Sequence, residues 1–382
     1  LNLKGLTHLR LSVSLLSSGK SALSLKTLVG MENCSELQEL SIDGCAKLID
    51  VEGINSCQKL KSIELSEAKR LENLNGLKGL KSLKTINISD AEALDNLDGL
   101  KGCDALEEIK IDGSNYSGNK KIKQPIKNVD GLIGLKKLKD LNLSSFNSLK
   151  NVDGLKGCSD LSHLYISSDS LENINGLKNL KALRGIQLDT VKLNNIDGLS
   201  GCENLDDFNI QSKDIKNLNG LKGCDKLQEL NIPSSAKSLN LDGLASMNSL
   251  RVVNFRDCEI KSFDFTQKIP PITYADIKSS NQIKSLEGIG NLINLEKIII
   301  KDCTNLENLK GIENIKTLES VIIQDCKSLK DVKALLSLPK LKVFKMRSCG
   351  IKKEELPGHL KVIVETTISH MDEDSYSFRD KK

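Results

Sequence analysis

The sequence predicts an α/β repeat solenoid, a stack of short coils that each contribute one β-strand and one tight return. Three observations predict it. A Gly-Leu or Gly-Ile step recurs at Gly53, Gly76, Gly99, Gly131, Gly154, Gly176, Gly198, Gly220, Gly243, Gly288 and Gly311, mostly 22 or 23 residues apart, with Gly30-Met31 and Ala334-Leu335 as looser copies. Apolar residues keep fixed offsets from that glycine through the chain. The composition also lacks the material for large central cores: aromatics are 3% of 382 residues, Trp is absent, and the hydrophobic share is 38%. Length alone suggests two or three domains at ~150 residues each, but a stack of coils in one register needs none of them.

With the glycine counted as position zero, apolar residues fall at +1, +4, +7, +10, +12, +17 or +18, and +20 or +21. In the copy anchored on Gly53 these are Ile54, Cys57, Leu60, Ile63, Leu65, Leu71 and Leu74. From +7 to +13 the pattern alternates, as a strand does. From +1 to +7 it steps by three, as a short helix or 3-10 turn does. One such unit cannot bury its own apolar face, whereas stacked units share a continuous core. Asp or Asn stands before the glycine, as in Asn75, Asp98, Asp130, Asp153 and Asn175, and is expected to cap the return by accepting its free N–H groups. A hidden copy near Phe265 explains the double spacing after Gly243, with Ile272, Ala275, Ile277, Ile283 and Leu286 in register.

The expected organisation is one solenoid over residues 1–364, with insertions near 15–24 and 114–125 and a shortened cap at 350–364. Residues 365–382 turn polar and read as a tail or linker. The chain begins at Leu1 rather than Met, as expected of a segment excised or processed from a longer protein. It starts almost directly on a strand, so further sequence or a partner is expected to cover that end.

The pattern L-x-x-L-x-L…L-x-x-I-x-G-L is similar to the leucine-rich repeat. Copies such as LSHLYISSDSLENINGL (161–177) resemble the subclass shared by internalins and a phosphatase regulatory subunit. The phase CDKLQELNIP (224–233) resembles the bacterial surface-antigen subclass. The resemblance spans about fifteen copies over residues 6–364. It implies a horseshoe with a parallel concave sheet of about 15 strands and short helical or 3-10 turns on the convex side. It says little about function, because such folds host many. One departure stands out. The family usually places Asn at +15, where its amide ties coil to coil, whereas this chain has Cys45, Ala68, Ala91, Phe146, Cys258, Cys303, Cys326 and Cys349 there. That ladder is expected to be missing, with backbone, Cys or water in its place.

The eleven cysteines fall into two columns. Cys34, Cys57, Cys103, Cys158, Cys202 and Cys224 lie at +4, and Cys45, Cys258, Cys303, Cys326 and Cys349 at +15. These are packing positions, so the expectation is small buried thiols; Cys303, Cys326 and Cys349 stand close enough to pair if oxidised. Such thiols favour a cytoplasmic setting, while a bacterial secreted or surface setting fits a chain whose native N-terminus is absent. No C-x-x-C pair or zinc-type Cys/His spacing occurs, and no metal site or cofactor is expected. G-L-K-G-C is the repeat itself, not a phosphate loop. The four histidines, His8, His163, His359 and His370, are scattered. The chain therefore reads as non-enzymatic. A net charge of +4, from 55 basic and 51 acidic residues, argues against nucleic acid as partner, and no apolar run is long enough to span a membrane as a helix.

Function is expected on the concave face, at +9, +11, +13 and +14. There the last third changes character. Arg256, Lys278, Lys301 and Arg347 form a basic stripe at +13, joined by Lys345 at +11, and Tyr274, Ile299, Ile322 and Val343 are expected to add exposed apolar area beside it. Asp257, Asp302 and Asp325 at +14 are placed to neutralise part of the stripe. A second candidate is His163, Tyr165, Arg184, Gln187 and Asn209, since Tyr and Arg are favoured interface anchors. The acidic group Glu107, Glu108, Asp112, Asp140, Asp206 and Asp207 reads as a solvated face. The expected function is a non-catalytic scaffold that binds a partner protein on the concave face. The alternative is a ligand-sensing or targeting arm of a larger multidomain enzyme or effector.

Overall fold

The structure is a computed structural model, and it describes residues 4–12, 24–113, 125–212, 214–232, 239–263, 268–269, 272–356, 358, 360 and 364–365. Most of both expected insertions, the Phe265 anchor and residues 366–382 lie outside the described residues. The chain divides into two compact units. The first, Leu1–Leu193 with Gly201–Glu203, contains β1 (His8–Leu11), β2 (Glu39–Ile42), β3 (Ser62–Leu65), β4 (Thr85–Ile88), β5 (Glu108–Asp112), β6 (Asp140–Ser144), β7 (His163–Ser168) and β8 (Gly185–Thr190). The second, Asn194–Ser200 with Asn204–Lys382, contains β9 (Asp207–Gln211), β10 (Glu229–Ile232), β11 (Val252–Arg256), β12 (Tyr274–Lys278), β13 (Lys297–Lys301), β14 (Ser320–Gln324), β15 (Val343–Arg347) and β16 (Val364–Glu365). The strands run parallel in sequence order, in sheets β1–β9 and β10–β16. The last described strand is Val364–Glu365, Leu356 and Leu360 before it are buried, and a 3-10 turn lies at Lys353–Glu355.

Register follows the repeat. Ile63 pairs with Ile86 and Leu65 with Ile88, and the same +10 and +12 partners recur strand after strand. Inside the stack the fixed offsets fill one core column each. In the coil of Gly76, the residues Leu77, Leu80, Leu83, Ile86, Ile88, Ala91, Leu94 and Leu97 are all at most 1% exposed. The return steps by three because its hydrogen bonds do: Leu77 N–H donates to Leu74 O at 2.9 Å, Leu80 N–H to Leu77 O at 3.1 Å and Leu83 N–H to Leu80 O at 3.3 Å. Where the return is helical it is a short 3-10 turn, as at Asn75–Leu77 and Asp153–Leu155.

The Asp/Asn column before the glycine does not cap these turns. It forms their first residue, the residue before it is the N-cap, and no side chain caps the turn. The side chain that closes the turn sits two residues earlier. Asn73 Oδ1 accepts from Asn75 N–H at 3.1 Å, Asn151 Oδ1 from Asp153 N–H at 3.1 Å, and Asn217 Oδ1 from Asn219 N–H at 3.0 Å. Asn96, Asn128, Asn173, Asn195, Asn240 and Asn308 do the same. These are Asx turns, in which the short amide mimics a backbone carbonyl. The family's usual amide ladder is indeed absent at +15, yet an Asn column survives at −3, where the backbone also bridges adjacent coils at Asn151–Asn173 and Asn308–Asp331.

At +15 the link between coils is made by backbone and thiol. Cys45 N–H donates to Ser66 O at 3.0 Å, and Ala68 N–H to Ser89 O at 3.0 Å. Ser280 Oγ donates to Phe255 O at 3.2 Å, and Cys303 Sγ to Ile277 O at 3.7 Å. The +4 thiols do comparable work on the return side: Cys103 Sγ donates to Leu77 O at 3.1 Å and Cys158 Sγ to Leu132 O at 3.5 Å. All eleven cysteines are free, ten of them buried and Cys349 partly exposed. Burial pushes the thiols of Cys45 and Cys258 up to about 12 and those of Cys158 and Cys202 up to about 11.

Glycine is required at position zero by contact. A Cβ on Gly76 would lie 2.0 Å from Val51 O, on Gly154 2.0 Å from Val129 O, and on Gly176 2.0 Å from Val152 O. The glycine at +3 has a different reason: Gly134 has φ +79° with open space around it, and Asn179, at the same offset, has φ +63°. Gly176→Ala is therefore expected to cost about 1–3 kcal/mol through overpacking. Gly134→Asn, which keeps a left-handed residue, should change stability by less than about 0.5 kcal/mol; denaturant unfolding of both variants checks this. For the thiols, a count at pH 8 in native protein should find at most Cys349 reacting fast, because neutral buried thiols are poor nucleophiles, and all eleven after denaturation. Several fast native thiols would contradict the packing.

Candidate protein-interaction face

The outer face of the second unit's sheet carries the basic and apolar residues singled out from the sequence. Strict pairing aligns them in columns. Tyr274 pairs with Lys297, Asp276 with Ile299, Ile299 with Ile322, and Ile322 with Lys345. At +13, Arg256 pairs with Lys278, Lys278 with Lys301, and Gln324 with Arg347. The stripe and its apolar neighbours are thus brought onto one face, with Arg256, Lys278, Lys301 and Arg347 in the +13 column and Lys345 at the end of the column that holds Ile299 and Ile322.

The expected exposure is not found. Tyr274 is 8% exposed, Ile299 6% and Ile322 3%, and with Val252 at 1% they form one apolar cluster. Val343, Lys278, Lys301, Lys345 and Arg347 are half-buried, and Arg256 is exposed. Polar members of the face are buried with them: Asn254, Asp276 and Gln324. Asn254 Nδ2 donates to Glu229 Oε1 at 2.8 Å and to Asn231 Oδ1 at 2.9 Å. Arg256 Nη2 donates to Asp276 Oδ2 at 2.8 Å, which compensates a carboxylate that would otherwise be costly to bury. Arg347 lies 3.8 Å from Asp325, one of the +14 acids expected to neutralise the stripe. Lys297 Nζ sits 5.7 Å from the centre of the Tyr274 ring, within cation–π range. Beneath the sheet Phe255 and Phe263 meet edge to face at 5.1 Å.

Val252, Asn254, Asp276 and Gln324 were not among the residues singled out. A signal for them existed: Val252-Val253, Ile298-Ile299-Ile300 and Val321-Ile322-Ile323 are apolar runs without alternation, the mark of a strand covered on both faces. The +14 column also has a local reason for its Asp and Ser. Asp257, Ser279, Asp302, Asp325 and Ser348 all have φ between +53° and +55°, and short polar residues tolerate that left-handed turn.

In the first unit, His163 and Tyr165 share the outer face of β7, and Arg184 stands exposed just before β8. His163 Nδ1 lies 2.9 Å from Asp140 Oδ1 and 2.9 Å from Ser162 Oγ. Tyr165 is half-buried in register with Asn142 and Gln187. The acidic residue Glu107 is bridged by Lys84 at 3.0 Å and Lys139 at 2.8 Å, and their hydrogen bonds hold its carboxyl down at about 2. Among the described residues no group of three or more His, Cys, Asp or Glu is placed to hold a metal ion, and no helix is long and apolar enough to cross a membrane.

The family model of the BspA type leucine rich repeat region, in six copies, matches residues 30–153, 136–251 and 248–372. The chain belongs to this family. A comparison with curated proteins gives no match. Among solved structures, an internalin (InlF) from Listeria monocytogenes is 15% identical over 84% of this chain and 87% of its own, with a TM-score of 0.48. A leucine-rich repeat protein of Leptospira interrogans is 17% identical over 92% and 87%, with a TM-score of 0.48. Leucine-rich repeats of this kind are in general scaffolds for protein interaction.

Proposed function

We propose that the chain is a non-catalytic protein-recognition scaffold whose partner is a protein bound on the outer face of β11–β15. The observation that carries this reading is the row of basic residues on this face, exposed at Arg256 and half-buried at Lys278, Lys301, Lys345 and Arg347, beside the apolar cluster of Val252, Tyr274, Ile299 and Ile322. Strands that merely close a solenoid need polar residues outward, and β2–β7 mostly have them: Glu64, Asn87, Lys110 and His163 are exposed there. Apolar contact bordered by charge is what a protein interface uses. The near balance of charge, at net +4, fits a protein partner better than a polyanion, whose binding would fall steeply with salt.

The test is capture on immobilised full chain, with Lys278→Glu/Lys301→Glu against His163→Ala/Tyr165→Ala. Reversing the border charges should reduce recovery of the specific partner by at least about tenfold, a loss of about 1.4 kcal/mol, while the His163/Tyr165 variant retains it. Equal recovery by the charge-reversed chain would remove the second unit's face from consideration, and loss confined to the His163/Tyr165 variant would move the site to β7.

A further inference from the structure

Consecutive coils carry free thiols at the same offset in Cys34 and Cys57, Cys202 and Cys224, Cys303 and Cys326, and Cys326 and Cys349. Both members are buried in every pair but the last, where Cys326 is 0% exposed and Cys349 is half-buried. Only in that pair does solvent reach one sulfur while its neighbour lies inside.

Backbone bonds hold the two coils together on either side of this pair. Gln324 pairs with Arg347 two residues earlier. Asp325 N–H donates to Arg347 O at 3.0 Å, and Gly350 N–H donates to Cys326 O at 3.2 Å. The two Cα atoms therefore lie one strand spacing apart, about 4.8 Å, within the roughly 4.4–6.8 Å that a disulfide spans. The sulfurs share an orientation: Cys326 Sγ donates to Gln324 O at 3.3 Å, and Cys349 Sγ to Arg347 O at 3.3 Å. Cys349 Sγ also lies 3.8 Å from Ile323 O, so it leans over β14, toward the coil of Cys326.

We propose that Cys349 and Cys326 form a thiol–disulfide exchange site, with Cys349 the entry thiol, Cys326 the resolving thiol and a low-molecular-weight disulfide the substrate. The Cys349 thiolate attacks one sulfur of the small disulfide, a mixed disulfide forms and one thiolate leaves. Cys326, once deprotonated, attacks Cys349 Sγ and expels the second thiolate. The two protons lost by the cysteines end on the two small thiols, and the two electrons they lose reduce the small disulfide. The new bond fastens β15 to β14. The protein-recognition role is not needed for this chemistry.

The reduced full chain is incubated with glutathione disulfide at about pH 8.5, because burial pushes the Cys349 thiol up and the thiolate is the attacking form. Samples are quenched with acid and mapped without reduction by mass spectrometry. The expected result is a transient mixed disulfide on Cys349, then a Cys326–Cys349 link at the mass of a single chain, with two of the eleven thiols lost and nine left. Cys326→Ser should stop at the mixed disulfide. Serine fits this column, since Ser280 at the same offset donates its Oγ to Phe255 O at 3.2 Å. Cys349→Ser should keep all its thiols. A mixed disulfide that persists on the unsubstituted chain, a link between copies or between other cysteines, no reaction, or thiol loss in Cys349→Ser equal to that of the unsubstituted chain would each overturn the proposal. If Cys326→Ser does not fold, the map of the unsubstituted chain and the Cys349→Ser count decide it.

Discussion

Each coil of this protein touches the one before it backbone against backbone, and the glycine column is where that contact is made. At Gly76, Gly99, Gly154 and Gly176 even a methyl group would sit 2.0 Å from the preceding coil's carbonyl oxygen. A larger side chain at position zero would wedge the return side open while the strand side stayed fixed by its ladder, at about 4.8 Å per strand. The remaining regularities depend on this closeness. It brings the +1 carbonyl of one coil within reach of the +4 thiol of the next, as for Leu77 and Cys103 at 3.1 Å.

With the inward side fixed, the outward side of each strand is free to vary. In the first unit it varies among Glu, Asn, Lys, His and Tyr, which pair laterally and stay at least partly open to water. In the second unit it becomes apolar and basic, with the apolar centre buried and the basic residues half-buried or exposed. Register and hydrogen bonding are the same in both sheets, so the contrast lies in the side chains, which in the second unit cluster on one another. The Arg256–Asp276 pair fits this burial: a carboxylate side chain 12% exposed is held by a guanidinium at 2.8 Å, which offsets the cost of taking it from water.

The repeat was legible because its signal is periodic. The offsets +1, +4, +7, +10 and +12 report burial directly, and both cysteine columns fell where small buried side chains pack. The Asn column at −3 was missed for a local reason. Asx turns use a side chain two residues before the donor, whereas the adjacent Asp or Asn, as in Asn151-Val152-Asp153, drew the eye as a helix cap. The face residues were found and their exposure was not. Ile299 and Ile322 stand at outward offsets, and whether such positions meet water depends on a contact that no strand pattern encodes. The runs at 298–300 and 321–323 were the one available hint.

Hydroxyl-radical footprinting of the unmodified full chain tests the buried outer face most directly, with two tyrosines as internal gauges. Tyr165 is half-buried on β7 and Tyr274 is 8% exposed on β12. The burial predicts that Tyr274, Ile299 and Ile322 are modified several times more slowly than Tyr165. Modification of Tyr274 as fast as Tyr165 would mean that the face is open.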